Sequence, residues 1–449
     1  MESQQYQELL EKIKSRQPLD TEMLDEVMHP ADIVSVLDED DITDEDLKWF
    51  FSANNKEFLA DVLEDADDEL QSRVVHQLKY ADIIKIFSYM PKDEIADILG
   101  DLPIGQRKEL LNMMKLSDSR ELRVLLGYRD DTAGGLMTTE YIAMYQDLTI
   151  SQALAKIREI APKTEIIGTI FVLNRKRQLV GWADLRDILS TDPDQTIEDI
   201  MDPHVITVDP LMDQEEVAQV VRKYDLTALP VVNRRHSLLG IITADDIMDV
   251  MVDEQTEDIL HMGGVSGQEE IGGPIIVSLK RRLPWLIINL ATAFIAASAI
   301  SMFSSVISQV VALSSIMTIV SGMGGNAGSQ TLSVAIRGLT LGEINLKDDW
   351  KLVFKEVLLG LLDGAAIGLI TGVIVSIRYG NAYLGVVTLL AMIGNLIIAG
   401  IAGYLIPLII EKTGQDPALS SSIFLTTATD TCGFFIFLGL AQIFLPLLK

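Results

Sequence analysis

Asp430 lies inside Ser420–Leu448, an apolar stretch long enough to cross a bilayer that holds no other charge. At a helical rise of ~1.5 Å per residue, ten residues from the start of the stretch place it roughly 15 Å deep. That is near the middle of a hydrocarbon core about 30 Å thick. A carboxylate there costs about 2.5–3.5 kcal/mol on insertion scales, so it faces a bundle interior or a water path. Two readings follow: a group on an ion or proton pathway, or a protonated Asp bonded to Thr426, Thr427, Thr429 and Thr431. The pathway is the better account of the expense.

A second group with chemistry in it is ADDIMDVMVDEQTEDILHMGGV, which follows Thr243. Asp246, Asp249, Asp253, Glu254, Glu257 and Asp258 recur there at three- and four-residue spacing, so several share a helix face. Like charges so spaced destabilise a helix by a few tenths of a kcal/mol each. Bound divalent cations would relieve that, and screening by salt is the plainer alternative. A third group is SGMGGNAGSQ, with Gly322, Gly324, Gly325 and Gly328 in seven residues. Each costs a helix about 1 kcal/mol relative to alanine. Unwound backbone at membrane depth is tolerated only inside protein or along a wet cavity. The spacing therefore predicts a turn in which Gly325, Asn326 and Gln330 meet a cation or its water shell. Close glycine-mediated helix packing is the alternative. The match of Gly322-x-Gly324-x-x-Ala327 to a dinucleotide fingerprint carries no weight without a surrounding βαβ unit. Glu356 and Asp363 fall seven apart on one helical face, the first near the membrane edge, the second between Gly360 and Gly364.

These residues need a membrane scaffold, and five stretches after Arg282 are long enough to supply it: Trp285–Phe303, Ile307–Gly328, Leu352–Ile377, Gly385–Ile410 and Ser420–Leu448. Lys280, Arg281, Arg282, Arg337, Lys347, Lys351, Lys355 and Lys412 fall on one side of them, against Arg378 and Lys449 on the other. That asymmetry puts the N-terminus in the cytoplasm and the C-terminus outside. The charge of −29 is not spread evenly: Arg281–Lys449 nets +1 and Met1–Lys280 nets −30. The N-terminal part therefore repels nucleic acid and attracts cations. MESQQYQELLEKIKSRQ has no apolar core of a secretory signal, so this part is expected in the cytosol. The single cysteine, Cys432, excludes an intrachain disulfide.

Up to about Asp131 the chain shows helical patterning in short repeated units: HPADIVSVLD, KEFLADVLED, KYADIIKIFS and PKDEIADILG. Such units read as a superhelical stack. Their acidic runs, Glu64 and Asp65 among them, read as solvated surface. From Thr132 to Val252 a mixed strand–helix texture appears twice, opened by Met137 and Met201, with Gly181 and Gly240 at equivalent late positions. The five histidines (His29, His76, His204, His236 and His261) lack ligand spacing, so no zinc site is expected. No nucleophile elbow, Walker A loop or kinase set is present either, so the chain is not expected to be an enzyme.

The duplicated region resembles a pair of cystathionine-β-synthase (CBS) domains, most specifically in LPVVN…LLGIIT with Gly240-x-x-Thr243-x-x-Asp246. In such domains that Thr and Asp often hold an adenine nucleotide, so the resemblance makes Thr243 and Asp246 candidates for ATP. Asp184 replaces the hydroxyl residue in the first copy. The whole order resembles the MgtE magnesium channel family, with DTAGGLM, GMGGNAGSQ, DPA and TTATDTCGFFIFLGLA as its sharpest marks. The resemblance implies a multidomain α-helical membrane protein: an acidic helical N-domain (1–131), tandem α/β CBS domains (132–199 and 200–252), a connector or plug helix (253–280) and a pore domain of five transmembrane helices (281–449). It implies a homodimer with Asp430 lining the pore, Asp416 at the cytoplasmic mouth, and Gly325 and Asn326 beside them. It also implies regulatory Mg2+ sites drawn from Asp93, Asp97, Glu215, Glu216, Asp225, Asp246, Asp249, Glu254 and Asp258. The expected function is Mg2+ uptake across the plasma membrane through a Mg2+-selective channel that Mg2+ itself closes. The alternative is a proton-coupled secondary transporter of Co2+ or Mn2+ working through Asp430 and Asp363.

Overall fold

The computed structural model describes residues 3–19, 24, 28–39, 41–161, 164, 166–265, 274–341, 343–344, 350–413, 416–418 and 421–448. Residues 266–273 of the expected connector and Ser420 of the last expected span lie outside them. The chain divides into two compact units, Met1–Met251 and Val252–Lys449.

The first unit opens with short helices: α1 (Ser3–Lys14), α2 (Pro30–Leu37), α3 (Asp44–Ala53), α4 (Lys56–Glu64), α5 (Asp68–Gln77), α6 (Tyr80–Phe87), α7 (Lys92–Asp101), α8 (Ile104–Met113) and α9 (Leu116–Leu125). Their starts follow capping chemistry. Thr43 and Asp46 form a capping box on α3, Asn55 accepts the amide of Glu57 at 3.1 Å, and Asp67 accepts that of Leu70 at 2.8 Å. Each helix buries one apolar stripe, such as Phe58, Leu59, Val62 and Leu63 of α4, against its neighbours. Contacts run α2 to α4, α4 to α6 and α6 to α8, the alternation of a superhelical stack.

The two α/β copies follow. In the first, β1 (Ala143–Tyr145) pairs parallel with β2 (Thr169–Leu173), which pairs antiparallel with β3 (Leu179–Asp184). Helices α10 (Ile150–Ile160) and α11 (Leu185–Ser190) cover the sheet. In the second, α12 (Gln214–Tyr224) precedes the antiparallel pair β4 (Ala228–Val232) and β5 (Leu238–Thr243). Thr138 pairs with Ile241 through two bonds of 2.8 and 3.0 Å, so the opening segment of the first copy extends the sheet of the second. Leu229, Val231, Ile242, Ile247 and Val250 of the second copy share one apolar core with the helical stack. That shared core brings α7 against the residues that follow β5. A single helix, α13 (Ala244–Met262), begins directly after β5 rather than at residue 253.

The second unit contains α14 (Ile275–Met302), α15 (Ser304–Gln309), α16 (Ala312–Thr340), α17 (Trp350–Tyr379), α18 (Ala382–Lys412), α19 (Ser421–Ile443) and α20 (Leu445–Leu448). Among the described residues four helices are long and apolar enough to cross a membrane: α14, α17, α18 and α19. The fifth expected span, Ile307–Gly328, falls on α15 and the first half of α16. At 29 residues α16 has the length, but its Ser, Gly, Asn and Gln residues dilute its apolarity. Four of the five expected spans thus fall on helices that are both long and apolar enough. Helix α18 is central, packing on α16, α17 and α19. Buried Gly360, Gly364, Gly368 and Gly372, four apart on α17, let that helix approach the α18 backbone closely.

The turn expected at Gly322–Gln330 is not there. Helix α16 runs unbroken through it. Unwinding would strand backbone groups that cost several kcal/mol each in hydrocarbon, more than the glycines cost the helix. Two of the glycines instead serve packing: Gly324 lies against Asn395 and Gly328 against Leu425.

Candidate functional site

Carboxylates gather in two places, and the first is in the N-terminal unit. PKDEIADILG folds as α7, which starts after Pro91 with Asp93 and Glu94 in its first turn and Asp97 one turn on. The shared core sets Asp93 facing Asp246 in the first turn of α13. Asp93 is buried, at 7% exposure. The Thr138 hydroxyl bonds its carboxylate, yet Oδ1 has no hydrogen-bond partner. Burial, together with the charge of Asp246, pushes Asp93 up to about 7. Burial and the charges of Asp93, Asp97, Glu64 and Asp246 push Glu94 up to about 8. Glu64 and Asp97 keep contact with solvent and shift the same way, by desolvation first and by neighbouring carboxylates second. Asp246 is raised by burial against the Thr243 hydroxyl that it accepts.

Each of these groups is more easily protonated than an ordinary carboxyl, first because burial desolvates it and second because like charges crowd it. Asp93, Asp97 and Asp246 are among the sequence candidates and Glu94 and Glu64 are not, although Glu64 is exposed, as expected of solvated surface. The available signal was adjacency to Asp93 for Glu94. For Glu64 it was the neighbouring Asp61 and Asp65, which raise it more than Asp93 and Asp246 do.

The other regulatory candidates stand apart. Glu215 and Glu216 open α12, where Asp213 caps the Glu215 amide at 3.0 Å, whereas Asp225 closes the same helix in a left-handed conformation at φ 51°. Eleven helical residues separate these ends by about 15 Å, so within one chain they cannot share an ion. Asp249 is exposed, and its charge helps raise Asp246. Glu254 is half-buried further along α13. Thr243, the nucleotide candidate, is only 2% exposed and its hydroxyl is committed to Asp246.

The second place is in the C-terminal unit. Asp430 is the tenth residue of α19 and is half-buried. Its partner is the hydroxyl of Ser321 on α16, not the neighbouring threonines. Thr426, Thr427 and Thr429 instead bond carbonyls of their own helix at 2.7, 2.7 and 3.1 Å. The sequence analysis missed Ser321, since nothing local singles out one serine across a helix crossing. Gly325 stands one turn from Ser321 on α16, and Asn326 beside it is exposed. With α16 intact, their carbonyls belong to the helix ladder and are not spare ion ligands.

Asn395 of α18 wedges this crossing. It is fully buried, donates to the Val320 carbonyl at 2.8 Å, and fits only because Gly324 and Gly433 carry no side chain. Glu356 accepts from Thr331 at 3.2 Å, and with Asp363, Gln330 and Lys355 it lines a cavity of about 210 Å³.

Asp416 accepts the Ala418 amide at 2.8 Å through one oxygen and meets His261 Nδ1 at 2.5 Å through the other. His261 Nε2 lies 3.5 Å from Glu257. Asp258, one residue along α13 from Glu257, accepts from Thr340 at 3.1 Å. The Asp416 hydrogen bond holds His261 charged above the usual histidine range, against the effect of its burial. Burial raises Asp258. His261, which sequence spacing ties to no other ligand, thus lies with Glu257 and Asp416. His261 is 155 positions from its Asp416 partner, and sequence spacing could not reveal the pair.

Residues 317–440 match a family described as a divalent cation transporter, MgtE. Residues 28–131 match the MgtE intracellular N domain, and 133–194 and 197–253 each match the CBS domain. The fold and its acidic groups thus define a multi-pass divalent cation transporter with a CBS pair. The chain is 35% identical over 387 residues to the magnesium transporter MgtE of Bacillus subtilis, covering 86% of each. It is 33% identical over 433 residues to that of Thermus thermophilus, covering 94% of each. Among solved structures, the soluble part of a magnesium transporter superposes with a TM-score of 0.51 at 29% identity, over 56% of this chain and 98% of that one. The chain belongs to the MgtE family of magnesium transporters.

Proposed function

We propose that this chain is a Mg2+-selective channel that closes when Mg2+ reaches its cytosolic acids. The observation that carries the reading is the convergence of Glu64, Asp93, Glu94, Asp97 and Asp246 around an Asp93 oxygen with no partner. The donors are all hard oxygens, which fits Mg2+. Mg2+ keeps several waters and takes one or two carboxylates directly. Bound there, Mg2+ would supply charge neutralisation. Without it, two carboxylates 4 Å apart repel by about 4 kcal/mol at an effective dielectric of 20. Asp246 sits in the first turn of α13, so repulsion from Asp93 and Glu94 bears directly on the start of that helix. The same helix carries Asp249, Glu254 and Asp258 toward its C-terminal end.

For the pore, the reading assigns Asp430 as the carboxylate that meets Mg2+ as cargo, with Ser321 orienting it and Asp416 at the cytoplasmic mouth. A two-fold homodimer would pair the Asp430 groups, and α16 would be the fifth span. The N-terminus would then be cytoplasmic and the C-terminus extracellular. Glu215, Glu216 and Asp225, at opposite ends of α12, are assigned to separate ions or to contacts across the dimer. Nucleotide at Thr243 and Asp246 would require the hydroxyl to release Asp246. The test is flux into liposomes. Mg2+ entry that follows the Mg2+ potential without a proton gradient supports the channel. Entry that stops when the proton gradient is removed would favour the proton-coupled alternative.

A further inference from the structure

We propose that Glu257, His261 and Asp416 form a mixed nitrogen–oxygen site for a first-row transition-metal dication, in the class of Mn2+, Co2+, Ni2+ and Zn2+. Glu257 and His261 are one turn apart on the same face of α13, the spacing that lets two side chains grip one ion. Asp416 approaches from the DPA segment, its other oxygen pinned by the Ala418 amide. One donor atom from each residue lies within 4.8 Å of the other two. An ion with bonds of about 2.0–2.2 Å bridges donors up to about 4.4 Å apart. Binding releases to solvent the proton that His261 shares with Asp416, now 2.5 Å apart, and these two donors separate to about 3 Å around the ion.

The imidazole sets the ion class. Magnesium selects oxygen ligands and holds its waters, whereas Mn2+ through Zn2+ accept imidazole with affinity that climbs along the series. The acids around Asp93 offer oxygen alone, so the two places discriminate between ions by donor type. His261 is 8% exposed at its side chain, which limits the waters an ion could keep there, while Glu257 and Asp416 reach solvent and leave an entry path. An ion held here would tie α13 to the DPA segment. Whether that tie alters flux rests on the channel reading above; whether the ion binds does not.

The test uses the purified full-length protein in detergent with millimolar Mg2+ present and Co2+ or Mn2+ as the probe. One Co2+ should bind per chain and resist displacement by Mg2+, and bound Mn2+ should show histidine nitrogen coupling by pulsed electron paramagnetic resonance. His261→Gln should weaken Co2+ binding by at least about tenfold, the low end of what even an outer partner of a metal ligand contributes. His261→Asp should restore a site that Mg2+ now empties. Loss of all Co2+ to millimolar Mg2+ in the unaltered protein would overturn the proposal. So would absence of nitrogen coupling in that protein, a readout that needs no variant to fold.

Discussion

In the N-terminal unit one cluster of acids meets other acids, and in the C-terminal unit four acids each meet a donor. Asp93, Glu94, Asp97, Glu64 and Asp246 are raised in pKa first by burial and then by neighbouring carboxylates. Asp430, Glu356, Asp258 and Asp416 are instead held by Ser321, Thr331, Thr340 and His261. The first arrangement is strained until protons or cations arrive, and so responds to their concentration. The second is satisfied within the chain and suits groups that must hold position while ions pass. One residue type thus serves sensing or positioning according to what surrounds it.

The contrast breaks most readily at Asp430. Asp430→Asn should reduce Mg2+ flux into liposomes at least about tenfold, equivalent to 1.4 kcal/mol or more, with the protein still folded. Unchanged flux would remove the residue from the pore. The next largest effect is expected in the sensor. Asp93→Asn with Asp246→Asn should raise the melting temperature in chelator by about 2–4 °C for each kcal/mol of repulsion relieved. The same pair should abolish the rise that Mg2+ produces in the unaltered protein. A Mg2+-induced rise that survives would place the sensing carboxylates elsewhere.

Asn395→Ala should cost about 1–3 kcal/mol by leaving the wedge empty and its bond to Val320 unmade, read by chemical or thermal unfolding. An effect near zero would make the Gly324–Asn395–Gly433 crossing dispensable. The pH dependence is expected to differ between the units as well. A carboxyl raised in the folded state binds more protons folded than unfolded, so its contribution to stability falls as pH climbs. For Asp93 and Glu94 the fall should run from the ordinary carboxyl range to about 7 and about 8. Without divalent ions the melting temperature of the N-terminal unit should therefore decline from pH 5 to pH 8, within about the span those shifts allow. Saturating Mg2+ should flatten the slope. A flat profile in chelator would show that these acids do not crowd. The smallest effect should come from Ser321→Ala, a single hydrogen bond worth about 0.5–1.5 kcal/mol, seen as a severalfold change in flux.

Much of this was legible in the chain because it depends on local order. PKDEIADILG and its sister units carry their helical period within ten residues, and the paired copies repeat around Gly181 and Gly240. Four of five apolar stretches emerged as helices able to span a membrane, since span length is a local property too. The errors came where distant residues decide the outcome. The four glycines near Asn326 signal a broken helix by propensity, but the partners that make the helix worthwhile, Asn395 and Leu425, lie some seventy and a hundred positions away. Ser321 and His261 acquire their partners 109 and 155 positions along the chain. Glu64 is exposed, as expected, and Asp61 and Asp65 beside it raise it more than Asp93 and Asp246 on α7 and α13 do.

Helix α13 places Asp245, Asp249, Asp253 and Glu257 four apart in succession, with Glu254 and Asp258 on a neighbouring row. Each such pair costs about 0.2–0.5 kcal/mol, so the whole helix gives up roughly 1–2 kcal/mol when its charges are bare. That makes its stiffness a variable. By this estimate α13 would resist deformation less in cation-poor surroundings than in cation-rich ones. The force it can transmit is therefore set by the ionic medium before any particular site fills.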